Sequence, residues 1–217
     1  MPADRRQFLL GTAALAVTPL AAADPPALAT LFDGLVHAQL RRSPEGATNL
    51  GLDTGANADL RAKLSDQSAA GIASARAETA AELRRLQAVD RTALDADARV
   101  DLDAVLYTRR SAAAVQAFDF GGTGYGPSPY ILSQQTGAYQ SVPDFLDTKH
   151  RIETAADADA YLQRLGAFAT QIDDQTARAR HDVAGGVTPP DFILDRTLAQ
   201  MDKTALPAAQ ALAVTSL

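Results

Sequence analysis

The chain has 217 residues, with 20 Lys and Arg against 26 Asp and Glu, so its net charge is −6 and nucleic acid is excluded as a partner on electrostatic grounds. It contains no cysteine, which removes disulfides, thiolate metal sites, cysteine nucleophiles and iron–sulfur clusters together. Alanine supplies 46 residues while β-branched and aromatic residues are sparse, a composition that favours helix over sheet and predicts an all-α fold of antiparallel helical hairpins.

The first element is a leader. Arg5, Arg6, Phe8 and Leu9 stand in an R-R-x-F-L pattern that resembles the twin-arginine export signal, with Asp4 where Ser or Thr is commoner. The apolar run from Phe8 to Leu20 follows, and Ala21 and Ala23 form the small-x-small pattern that signal peptidase cuts. At 1.5 Å per residue this run falls well short of the ~30 Å hydrocarbon core, so a signal peptide over residues 1–23 is expected and not a permanent membrane span. The expected partners are the export translocon and signal peptidase, and the expected destination is the periplasm or the medium. The mature chain would comprise residues 24–217.

Pro25-Pro26 opens a helix whose Leu28, Leu31, Phe32, Leu35, Val36 and Leu40 recur at three-four spacing, with Arg41 and Arg42 at the end where cations suit the helix dipole. Ser43-Pro44-Glu45 reads as an N-cap, a first-turn proline and a first-turn acid, predicting a short helix to about Leu50 and a turn over 51–57. The pattern then predicts a long amphipathic helix over 65–89, with Ile72, Ala75, Ala80, Leu83, Leu86 and Val89 inward. A tight corner at Asp90-Arg91-Thr92 leads to a helix capped by Asp95 that runs to about Phe118 through Leu102, Val105 and Leu106.

Residues 119–142 break the periodicity with five glycines, two prolines and three of the five tyrosines. The stretch reads as a long loop, and loops of that length in helical proteins are often functional. Downstream, Thr154 followed three residues later by Asp157 predicts a capped helix to about Ala184, with Tyr161, Leu162, Leu165, Phe168, Ile172 and Val183 inward and Gly185-Gly186 at its end. Thr188-Pro189-Pro190 restarts a helix through Ile193, Leu194, Thr197, Leu198 and Met201. Residues 208–217 are apolar and uncharged.

No complete catalytic constellation is present. His37, His150 and His181 lie far apart in sequence, no H-E-x-x-H pair exists, and Lys149 and Arg151 disfavour His150 as a cation ligand, so no metal site is expected in this chain. The glycines at 121–126 match neither phosphate-loop spacing, and there is no G-x-S-x-G elbow. The many carboxylates, such as Asp95, Asp97, Asp101 and Asp103, read as solvated helix faces. A metal-free carboxylate enzyme complete within the chain is the weakest reading of them. The candidates for ligand contact are therefore Tyr130, Ser133, Gln134, Gln135 and Tyr139 in the loop. Tyrosine offers a flat apolar body with a polar tip, although these side chains would equally serve to cover helix ends and satisfy the loop's own backbone.

The run Tyr130-Ile-Leu-Ser-Gln-Gln-Thr-Gly-Ala-Tyr139-Gln-Ser-Val-Pro-Asp-Phe-Leu146 resembles the bacterial family called domain of unknown function 885, as do Gly186-Val-Thr-Pro-Pro190 and Arg196-Thr-Leu-Ala-Gln200. The segment Leu40-Arg-Arg-Ser-Pro-Glu-Gly-Ala-Thr-Asn-Leu-Gly51 is similar to that family's opening. The resemblance implies a longer, helical, exported protein related to zincin-type metallopeptidases, with a zinc-binding H-E-x-x-P-G-H-H-like segment in its C-terminal half. On that reading residues 24–217 are the N-terminal helical part, inactive alone. Zinc and its ligands then belong to the missing C-terminal half, and a peptide is the expected substrate. The alternative is an exported, non-enzymatic helical binding module that uses the 119–142 loop.

Overall fold

A computed structural model describes residues 26–122, 129–205 and 207. The leader with Arg5, Arg6, Phe8, Leu9, Ala21 and Ala23, the apolar tail 208–217, and the centre of the glycine-rich loop lie outside the described residues. Among the described residues the architecture is all-α, and an isolated bridge between Ser133 and Thr136 is the nearest approach to a strand. None of the described helices is long and apolar enough to cross a membrane.

Seven α-helices follow in order: α1 Pro26–Arg42, α2 Pro44–Asn49, α3 Ala69–Gln87, α4 Ala96–Gln116, α5 Ala138–Thr148, α6 Ala155–Ala184 and α7 Asp191–Thr204. Their starts are set by side chains that satisfy otherwise orphaned N–H groups. Ser43 accepts from Gly46, Ser68 from Gly71 and Asp95 from Ala98. Thr154 and Asp157 form a reciprocal capping box at the start of α6. Asp157 also accepts from the Glu153 N–H and from Arg61. The Thr154 hydroxyl and these donors hold its carboxyl down at about 2.

Two apolar cores form, not one. The first joins Leu28 and Leu35 of α1, Leu86 of α3, Leu94, and Ala98, Leu102 and Leu106 of α4. The second joins Ala138, Val142, Phe145 and Leu146 of α5 to Tyr161 of α6, with Leu64, Leu165, Phe168 and Ile172 packed around them. A small cluster of Leu40, Ala47 and Leu60 sits where α1, α2 and the 3₁₀ segment Gly55–Ala62 meet.

Several elements differ from the sequence reading. The turn expected over 51–57 covers residues 51–54 only, and from Gly55 the chain makes eight residues of 3₁₀ helix, which bury Leu60. The third helix starts at Ala69, because residues 63–67 are non-helical and tied down by other elements. Its buried face includes Thr79 and Glu82 beside Ile72 and Leu86. The loop expected to reach residue 142 ends at Gly137, and α5 follows with Pro143 inside it. Leu162 and Val183, expected inward, are exposed, Leu162 by 63%, and on α7 Leu198 is 58% exposed. On α6, Tyr161, Leu165, Phe168 and Ile172 face the protein as expected, but the same helix also buries polar side chains: Arg164, Gln171, Gln175 and Asp182.

Helix α4 is apolar on two sides. Leu102, Leu106 and Ala112 face α3, while Val100 and Tyr107, about half a turn away at 100° per residue, are exposed, Tyr107 by 74%, as is Phe118 just past the helix end.

Candidate functional site

Between the two cores runs a polar cleft, built where helices meet through side-chain networks and not through apolar packing. Its larger lobe encloses about 570 Å³ among α1, α3, α4 and the loop, and a second lobe of about 370 Å³ continues it between α2, α5 and α6. Ser43, Ser65, Gln67 and Gln175 line both lobes. The non-helical segment 63–67 thus forms part of the shared floor.

That segment is held in place by side chains acting in place of a neighbouring strand. Arg164 Nε donates to the Lys63 carbonyl at 3.0 Å, and Gln171 Nε2 to the Ser65 carbonyl at 2.6 Å. The Ser65 N–H donates to Glu45 at 3.0 Å. Three-four spacing along α6 puts Arg164, Gln171 and Gln175 on one inward stripe, so a single helix organises the floor. Gln175 Oε1 also accepts from the Ala138 N–H at 2.7 Å, tying the start of α5 to the same helix.

Arg164 has no exposed surface. Its remaining nitrogens donate to Thr48 Oγ1 at 2.7 Å, the Leu60 carbonyl at 3.1 Å and His150 Nδ1 at 2.7 Å, and its guanidinium lies 4.8 Å from the centre of the Phe145 ring. Among the described residues no carboxylate touches it. Burial pushes this guanidinium down to about 10, opposed by the more distant charges of Asp53 and Glu45, so it stays a cation at neutral pH. Because Arg164 can only donate, His150 Nδ1 must accept, and Nε2 carries the proton it gives to the Asp157 carbonyl at 2.9 Å. Burial lowers the pKa of His150, and the nearby Arg164 and Arg61 charges add to that effect.

The other end of the cleft holds a second charged cluster. Glu82, 1% exposed, sits between Arg42 at 2.9 Å and Arg109 at 3.2 Å. The first contact is a hydrogen bond, the second a close ion pair whose angle makes none. Arg42 Nη1 also reaches Glu78 at 2.7 Å. Those hydrogen bonds raise the pKa of Arg42 although burial works against them. At the base of the glycine-rich loop, Asp182 accepts from the Gly121 N–H at 2.8 Å. Nearby, Asp119 gathers Arg178, Arg76 and His181. Gly121 has φ +67, and a Cβ there would lie 2.5 Å from the Pro129 carbonyl, so this close approach requires glycine.

The five loop residues singled out in the sequence are placed unequally. Tyr130 lines the larger lobe, alongside Ile131 and Thr136. Ser133 is buried, its hydroxyl bonded to Thr136 Oγ1 and to the Gln135 N–H. Tyr139 is buried as well, with its hydroxyl 2.8 Å from the Ser133 carbonyl and 2.7 Å from the Gln200 side chain. Gln134 is half-buried and Gln135 exposed, and neither lines a lobe of the cleft. The larger lobe's charged residues, Arg42, Asp66, Glu78 and Arg109, and Glu82 buried against two of them, were missed because they are scattered over α1, the 63–67 segment, α3 and α4. The available signal was an arginine at 109 in line with Leu102, Leu106 and Ala112.

The described residues do not fit a zinc site. No group of three His, Cys, Asp or Glu among them is arranged to hold a metal ion. Both ring nitrogens of His150 are engaged inside the protein, His37 is exposed on α1, and His181 is exposed and 3.1 Å from Asp119.

Residues 44–216 match the model of the family described as "Bacterial protein of unknown function (DUF885)". The chain belongs to this family. No curated protein matches it. Among solved structures, DUF885 helices of this arrangement are similar to those in a crystal structure of a candidate lipoprotein from Colwellia psychrerythraea. The TM-score is 0.77 at 21% identity, over 88% of this chain and 33% of that one. At that identity the likeness establishes the fold, and this chain spans about a third of the relative's length.

Proposed function

We propose that this DUF885 chain is the N-terminal helical part of an exported, zinc-dependent, peptidase-like hydrolase, that it supplies one wall of the substrate cleft, and that it is inactive alone. The observation that carries the reading is the partial match: nearly all of this fold has a counterpart in a helical protein three times as long, and the cleft between its two cores is lined by groups that bind and orient, with no metal-ligand set among the described residues. The leader resembling a twin-arginine signal supports export of a folded protein to the periplasm or beyond. Zinc and the general base are assigned to the polypeptide that completes the fold.

The test is direct. Purified residues 24–217 should contain no stoichiometric zinc by elemental analysis and should leave a peptide substrate intact, and the DNA beyond the codon for Leu217 should encode a His-Glu-x-x-x-x-His-His stretch. One tightly held zinc per chain with unaided peptide cleavage overturns the proposal. A second reading, a non-enzymatic exported binding module, is favoured by the position of Tyr130 in the cleft wall. It predicts that Tyr130→Ala abolishes ligand binding while leaving helicity intact.

A further inference from the structure

We infer that Arg109 is a carboxylate-binding residue in the larger lobe of the cleft, and that its ligand is the free carboxyl end of a peptide. This rests on the reading of the cleft as a substrate wall and names what one part of that wall recognises.

The argument begins with how unequally the two arginines around Glu82 are used. Arg42 is saturated: Nη1 serves both Glu78 and Glu82, and Nη2 donates to Gln39 Oε1 at 3.1 Å. Arg109 is not. Its side chain is only 18% exposed, its Nε faces Glu82 without forming a hydrogen bond, and its Nη1 and Nη2 donate to no described residue. The residue lines the cleft. A guanidinium with a buried stem and an unengaged planar pair of N–H donors is suited to a carboxylate, which it can grip through two parallel hydrogen bonds.

The surroundings select among anions. Arg42 and Arg109 are matched in charge by Glu78 and Glu82, and Asp66 also lines the lobe, so a dianion such as phosphate would be repelled more strongly than a single carboxylate held by the paired N–H donors of Arg109. The rest of the lobe suits an amide-bearing chain. Gln67 and Gln175 present side-chain amides and Thr79 a hydroxyl, while Ile131 adds an apolar contact. Gln175 Oε1 is already committed to the Ala138 N–H, which leaves its N–H donors for a ligand carbonyl.

Isothermal titration of the purified chain with Ala-Ala-Ala, its C-terminal amide, acetate and inorganic phosphate tests the inference. The tripeptide acid should bind, the amide should bind at least about tenfold more weakly through loss of one charge-assisted paired contact, and acetate and phosphate should not match the acid. Arg109→Gln should abolish the preference for acid over amide. Because that variant also disturbs a buried ion pair, the wild-type ratio of acid to amide is the primary readout and depends on no substitution. Equal binding of acid and amide, binding of neither, or acetate or phosphate matching the tripeptide overturns the inference. Hydrolysis by the chain alone would overturn the proposed division of labour without touching the acid-to-amide ratio, so the two fail separately.

Discussion

Arg164 is a cation held inside the protein by neutral acceptors: two backbone carbonyls, a hydroxyl and an imidazole nitrogen. A buried acceptor that loses its donor costs about 1–3 kcal/mol, so Arg164→Leu, which strands several of them, should lower stability by about 3 kcal/mol or more, seen as a lower urea midpoint. Arg164→Lys should recover only part of this, because an ammonium cannot span the same directions as a guanidinium fork. His150 adds a pH dependence. Protonation of Nδ1 would remove the acceptor that Arg164 uses and place two cations in contact. Since the folded pKa lies below the ordinary imidazole value of 6.5, the unfolded chain binds the proton more readily. Stability is therefore fully present above that value and is lost as pH falls through the depressed folded one. In denaturation midpoints measured from pH 7.5 to 5, His150→Gln should flatten the decline, because glutamine can accept from Arg164 and donate to the Asp157 carbonyl without titrating. His150 was legible in the sequence as a poor metal ligand, but the reason given, its charged neighbours Lys149 and Arg151, was incomplete. Both of those are exposed, and the decisive cation comes from α6.

Elements were legible where local chemistry set them. Asp95, Ser43, and the pair of Thr154 and Asp157 all cap the helices their spacing predicted, since a cap needs only a side chain within three residues of its donor. Helix α5 was hidden by its own punctuation. Gly137 and the residues to Val142 read as loop, yet Ala138, Val142, Phe145 and Leu146 make a helical apolar stripe, and burying that stripe outweighs the hydrogen bond that Pro143 removes. Gly137 enters the helix at φ +126, and a Cβ there would lie 2.9 Å from Leu132 and Tyr139 side-chain atoms. Gly137→Ala should accordingly cost more than the roughly 1 kcal/mol of a conformational penalty alone and lower the thermal midpoint, whereas the same change at Gly34, where a Cβ meets nothing within 4 Å, should raise it. Helix α6 was legible in part: Tyr161, Leu165, Phe168 and Ile172 pack inward as their spacing indicated, but Arg164, Gln171 and Gln175 form a polar stripe that binds a backbone segment, and Leu162 and Val183 were assigned to a side they do not occupy. The cleft itself was illegible, since its lining comes from six helices, the 63–67 segment and the loop, which only the packing brings together.

At the scale of the molecule, two cores joined through hydrogen bonds and ion pairs should differ in how readily they open. The last helix is the weak edge: Thr197 is its single buried residue, and Phe192 and Leu198 are largely exposed. Hydrogen–deuterium exchange should show α7 losing protection first, followed by the ends of α5, while α4 and the centre of α6 exchange slowest. Uniform protection across α4, α6 and α7 would contradict that order. The all-α class was plain from composition, but the division into two cores was not, because both stripes that define them are apolar and nothing in their spacing says which pairs with which. Helix α4 carries a practical consequence. With Val100 and Tyr107 exposed on its outer side and Phe118, in ring contact with Phe120, exposed just past its end, the protein has a greasy handle on its flank. Phenyl resins should retain it strongly at moderate ammonium sulfate, concentrated stocks should cloud on warming, and replacing Tyr107 with serine should cure both while leaving the melting temperature where it was.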